Sequence, residues 1–212
     1  MYIDTHAHIN FNAYKDDGPE VIKRTLAGDV WMILVGSEAK TSERSVQYAS
    51  QYNEGVYAAV GLHPSHLFDE YIDEQEVDVK FFTKHQEFDF DFYKKLTADK
   101  KVVGIGECGL EYGHMPKGVD PEVVKTKQQE VLNQHIDLAT ATNLPIIIHC
   151  RDGSTMPVVN EAELLTTGAH NDCYNILNEA IKQGKRFDAL PYCKKWYHFV
   201  KPEDLITKIE YI

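Results

Sequence analysis

Residues 102–109 read V-V-G-I-G-E-C-G, and the fold turns on this stretch. Val102, Val103 and Ile105 form an apolar run with no polar alternation, the signature of a strand buried on both faces in a parallel sheet. The run then meets a carboxylate, Glu107. The same design recurs on either side. Residues 2–8 read Y-I-D-T-H-A-H and residues 145–152 read P-I-I-I-H-C-R-D, each a short apolar strand leading into groups that bind metals. Two further runs lie between them, giving expected strands at Tyr2–Thr5, Val30–Val35, Val56–Val60, Val102–Ile105 and Pro145–His149, and a sixth if Phe187–Cys193 forms one. Helical patterns separate them. Pro19 suits the first turn of a helix that stops at Gly28, and Thr41 or Ser42 can cap a helix running to Asn53. Pro121 opens a long helix from Glu122 to Thr142, with Val124, Val131, Ile136 and Leu138 on its buried stripe. Strand–helix alternation at this spacing argues for parallel strands joined by right-handed crossovers.

The reading is therefore α/β with a parallel sheet, in a single domain over 1–212; the TIM-barrel-like (β/α) form of it is what the family resemblance given below implies. Five to six strands do not close an eight-stranded barrel, and barrels of this kind run to about 250 residues, so the expectation is an incomplete one. Residues 69–92, acidic and aromatic, read as an insertion or an extended third helix with a solvated acidic face. The stretch 153–168, bounded by Gly153 and Gly168, reads as a surface insertion, and 187–212 as a divergent tail. In that tail Leu205, Ile206, Ile209 and Ile212 fall at helical spacing and are expected to pack over the open sheet.

Composition narrows the function classes. Of 212 residues 43% are hydrophobic and 26% charged, ordinary for a globular protein. No apolar stretch reaches the roughly 18–20 residues of a membrane helix, and residues 1–8 lack the basic and apolar regions of a secretory signal. Cys108, Cys150, Cys173 and Cys193 form no C-x-x-C pair, which fits reduced thiols in the cytoplasm or the nucleus. The net charge of -11 excludes a general polyanion-binding surface. Attraction for a phosphodiester must come from something local, such as bound cations.

Three of the five principal strands lead into candidate ligands. His6 and His8, two residues apart, point the same way on a strand and can reach one ion. Glu107 follows the fourth strand and His149 ends the fifth. In an α/β barrel such positions converge on one face, and two histidines with a carboxylate leave coordination positions open for water. Asp4 is placed either to orient a histidine or to cap local backbone.

Four segments together carry a resemblance: Asp4–His8 (D-T-H-A-H), Gly61–Pro64 (G-L-H-P), Gly104–Tyr112 (G-I-G-E-C-G-L-E-Y) and Leu144–Asp152 (L-P-I-I-I-H-C-R-D). In order and spacing they are similar to the successive signatures of the TatD family of metal-dependent deoxyribonucleases. The resemblance implies a distorted TIM barrel with one or two divalent ions (Zn, Mn or Mg) hydrolysing phosphodiester bonds, DNA being the expected substrate. It implies that His6 and His8 hold the first metal, that Glu107 is shared by both and is the catalytic carboxylate, that His149 serves the second, and that His63 stands beside the substrate. Arg151, whose fork can pair two oxygens, is the candidate phosphate clamp, with a salt bridge to Asp152 or a helix as the plainer role.

The chain departs from the family pattern in three places. Glu111 stands where the family commonly has Asp. Residues 153–168 interrupt a stretch that is otherwise continuous. Nothing after Lys185 matches the sixth-strand histidine or the final Asp, with Asp188 and His198 the only weak substitutes. The expectation is a protein that binds divalent metal, without bridging it by a carboxylated lysine, and that cleaves DNA poorly. The alternatives are an amidohydrolase acting on amides or lactones and a non-catalytic truncated paralogue.

Overall fold

The computed structural model describes residues 2–74, 79–152, 168–187 and 189–192. The strands are β1 (Tyr2–Ala7), β2 (Val30–Val35), β3 (Val56–Val60), β4 (Glu70–Glu74), β5 (Val79–Thr83), β6 (Val102–Glu111), β7 (Ile146–Arg151) and β8 (Ala189–Tyr192). The helices are α1 (Gly18–Ala27), α2 (Ala39–Ala49), α3 (Phe90–Leu96), α4 (Pro121–Thr142) and α5 (Gly168–Lys182). Six strands form one parallel sheet in the order β1-β2-β3-β6-β7-β8, while β4 and β5 pair antiparallel as a separate hairpin. Helices carry the chain back between successive parallel strands, as the geometry of such a ladder requires. The result is a curled α/β half-barrel of TIM-barrel type.

Burial on both faces explains the unbroken apolar runs. Met32, Leu34, Ala58, Val60, Ile146 and Ile148 join the main core with Leu132, Ile136 and Leu138 of α4. Their neighbours of opposite parity, Val35, Ala59 and Ile147, form a second buried cluster against Ile33. Side chains alternate across a strand, so the two clusters are the two faces of one sheet.

Most sequence expectations hold. The second and third strands match residue for residue, α1 has Pro19 in its first turn and ends at Gly28, and Val124, Val131, Ile136 and Leu138 are buried on α4. Several boundaries differ. The cap of α2 is Glu38, whose side chain accepts the Thr41 backbone N–H while Thr41 reciprocates. Residues 69–92 are an insertion: the β4–β5 hairpin, followed by α3 with Asp89 as its cap. The fourth expected strand does not end at Ile105 but continues as β6 to Glu111. Gly168 belongs to α5, and the rest of the expected insertion 153–168 lies outside the described residues. The expected sixth strand is present as β8, parallel to β7. Asp188, His198 and the stripe from Leu205 to Ile212 lie outside the described residues. Among the described residues no helix is long and apolar enough to cross a membrane.

One core contact has a measurable pH signature. His135 on α4 is fully buried, donates from Nδ1 to the Val131 carbonyl at 2.8 Å, and accepts the Leu62 N–H on Nε2 at 3.0 Å. Burial pushes its pKa from 6.5 down to about 4, against a small opposing effect of the Val131 carbonyl. Between these values the unfolded chain binds a proton that the folded one refuses, so stability is complete above pH 6.5 and falls as pH drops toward 4. Denaturant unfolding across that window should show a slope from this group of up to about 1.4 kcal/mol per pH unit. The slope should shrink in His135→Gln, and an unchanged slope would remove His135 as its source.

Candidate metal centre

The strands bring the expected ligands together. β1 supplies His6, with His8 just past its end; β6 supplies Glu107; β7 supplies His149; the turn after β3 supplies His63. The Glu107 carboxylate spans two histidines, with Oε2 at 3.3 Å from His6 Nε2 and Oε1 at 3.2 Å from His149 Nδ1. Ligand atoms of His6, His8 and Glu107 lie within 4.8 Å of one another, and so do those of His63, Glu107 and His149. Nitrogen and carboxylate donors bind such ions at about 2.0–2.2 Å, so His6, His8 and Glu107 need only a small inward adjustment to share one, as do Glu107 and His149 of the second set. The donor chemistry fits Zn, Mn or Mg.

Glycines make this convergence possible. Gly109 pairs with His149 across β6 and β7 and has φ +143°; a Cβ there would stand 1.9 Å from the His149 carbonyl oxygen. A Cβ on Gly61 would meet the Gly106 Cα at 2.7 Å, so the turn carrying His63 rests directly on the β6 backbone.

Hydrogen bonds set the ring orientations. His8 Nδ1 lies 3.1 Å from the Val35 carbonyl. A carbonyl only accepts, so Nδ1 carries the hydrogen and Nε2 presents its lone pair to the site. His63 is held the opposite way: its Nδ1 accepts the Ser65 backbone N–H at 3.2 Å and lies 2.7 Å from the Ser65 hydroxyl. Its Nε2 therefore bears the hydrogen. Arg151 points to the same cluster, with Nε 3.5 Å from Glu111 Oε2 and a terminal nitrogen 3.3 Å from His114 Nδ1.

The charges follow from this packing. Burial alone would raise the Glu107 carboxyl, but hydrogen bonds from His149 and His6 reverse that and hold it well below the usual carboxylate range. Burial would depress His149, yet Glu107 and Glu111 together push it up to about 9. Burial drives His63 down to about 3, with the neighbouring His149 adding to the effect, so it stays neutral. His8 is also lowered, chiefly by burial.

All six expected residues, His6, His8, His63, Glu107, His149 and Arg151, thus meet at one end of the sheet. Arg151 pairs with Glu111 rather than with Asp152, which instead contacts His170 Nδ1. Asp4 caps backbone, accepting the His6 N–H at 3.0 Å. Sequence reasoning missed the place of Glu111, which lies buried against His149, and of Ser65. The signal for Glu111 was its spacing: four residues beyond Glu107 on a continuing strand, it falls on the same face.

Comparison with known proteins agrees with this geometry. The family model described as TatD related DNase matches residues 3–197. The chain is 35% identical over 186 residues to the metal-dependent hydrolase YabD of Bacillus subtilis, covering 86% of this chain and 64% of the relative. It is 27% identical over 150 residues to the 3'-5' ssDNA/RNA exonuclease TatD of Erwinia tasmaniensis, covering 70% of this chain and 50% of that one. The crystal structure of the TatD homologue YjjV of Escherichia coli superposes with a TM-score of 0.51 at 29% identity, over 70% of this chain and 50% of that chain. The chain thus spans about half to just under two thirds of the lengths of these relatives. It belongs to the TatD related DNase family.

Proposed function

We propose that the chain is a metal-dependent phosphodiesterase acting on DNA, with Glu107 as the carboxylate shared between two ion sites. The observation that carries this reading is the placement of Glu107, one oxygen toward His6 and the other toward His149. His6, His8 and Glu107 would hold one divalent ion, and Glu107 with His149 a second. Bound there, such ions lower the pKa of water toward neutrality and stabilise charge on the phosphate oxygens. The chain's own groups do the rest. His63, neutral and presenting Nε2–H, can donate to a non-bridging phosphate oxygen. Arg151, partly exposed and fixed through Glu111, can pair with another. Both contacts orient the phosphate, and the local cations offset the net charge of -11 that would otherwise repel a polyanion. The 3'-to-5' exonuclease direction, proposed from the Erwinia relative's name, is the finer form of this reading. The thiol pattern supports a cytoplasmic setting.

The test is hydrolysis of single-stranded DNA labelled at its 3' end, by the full chain, with Mn, Mg or Zn and with a chelator in parallel. Release of 3'-terminal nucleotides that requires the metal is the expected result. Metal-dependent cleavage of amides or lactones without DNA cleavage would favour the amidohydrolase alternative, and absence of metal binding the non-catalytic one.

A further inference from the structure

From the contacts of one buried carboxylate we infer that Glu111 is a positioning residue that fixes the ring of His149 so that Nδ1, and not Nε2, faces the ion shared with Glu107. The inference rests on the reading of Glu107 and His149 as metal ligands and adds a residue to it. Glu111 is held on every side. Its Oε1 accepts the backbone N–H of Gly113 at 2.7 Å and of His114 at 3.0 Å. Its backbone N–H donates to Gln128 Oε1 at 2.8 Å, and Gln128 Nε2 donates to its carbonyl at 3.0 Å. The side chain is buried, and its remaining oxygen, Oε2, stands 2.9 Å from His149 Nε2. An ionised carboxylate can only accept, so Nε2 must carry a hydrogen. A ring that has also lost its other proton to a metal then has one free lone pair, on Nδ1. That atom lies 3.2 Å from Glu107 Oε1, where the shared ion would sit. A carboxylate behind a ligating histidine fixes the tautomer, orients the ring and raises its basicity. Asp at this position would be one methylene shorter yet would still present the ring with a carboxylate oxygen that only accepts.

The amide in Glu111→Gln is nearly isosteric but changes the hydrogen-bond pattern. Its oxygen can satisfy Gly113 and His114, which turns the NH2 toward His149 Nε2. That nitrogen must then accept, and the hydrogen moves to Nδ1, where it blocks the ion. Zinc titration of the full chain by calorimetry, with circular dichroism to check folding, should show one zinc site weakened by about 10–100-fold, the other unchanged, and recovery in Glu111→Asp. Imidazole nitrogen NMR of the zinc-loaded wild type should place the single His149 hydrogen on Nε2, which a purely structural role would not require. Wild-type affinity at both sites in Glu111→Gln, with the hydrogen still on Nε2, would overturn the inference while leaving the ligand reading intact. If that variant does not fold, the wild-type spectrum decides, and zinc on Nε2 overturns it. Zinc binding unaffected by His149→Ala would overturn the ligand reading and this inference with it.

Discussion

Glu107→Gln is expected to remove metal-dependent hydrolysis almost completely. The substitution keeps the side-chain volume at a site only 6% exposed and deletes the single charge that His6 and His149 share. Metal ions contribute several kcal/mol of charge stabilisation in the transition state. At about 1.4 kcal/mol per decade, loss of the shared ligand corresponds to a fall of roughly 10³-fold in rate. Metal content measured by mass spectrometry under native conditions should fall in step, because two ligand sets lose the same member. Cleavage that persists at the wild-type rate would show that the reacting residues lie elsewhere.

Gly109→Ala should have the largest effect on stability. The new Cβ would sit 1.9 Å from the His149 carbonyl oxygen, on backbone at φ +143° that side chains rarely adopt. Neither β6 nor β7 can retreat freely, since each is hydrogen-bonded to a second neighbour. The cost is expected to exceed about 4 kcal/mol, at the far end of single-substitution effects. Thermal unfolding should show a large drop in Tm or no cooperative transition. Gly118→Ala, also at positive φ but with open space around its Cβ, is the control and should cost far less.

The strands that sequence reading placed best were Val30–Val35 and Val56–Val60, where burial on both faces leaves apolar runs with sharp ends. His6, His8, Glu107 and His149 were legible for a related reason: each follows or closes such a run. The extension of β6 to Glu111 was not. Glycines at positions 106 and 109 read as a loop, yet they keep the strand going by letting β7 come close to its backbone. The hairpin was hidden because D-E-Y-I-D-E shows little apolar character. The locks on the histidine rings, Val35 for His8 and Ser65 for His63, depend on atoms whose approach only the folded chain defines.

The long β6 also divides what the molecule can change from what it must keep. Glu107 and Glu111 ride on an interior strand that pairs with β3 as far as Ile105 and with β7 as far as Glu111, so their positions are inherited from the sheet rather than from any loop. Among the described residues β4 and β5 form a sheet of their own, and Glu70 at its start lies close enough to feel the charges of His114 and Glu111. Lengthening, shortening or recharging that appendage would alter the charge felt by His114 and Glu111 without moving a candidate ligand. Sequence change can therefore accumulate there while the candidate metal centre stays as it is.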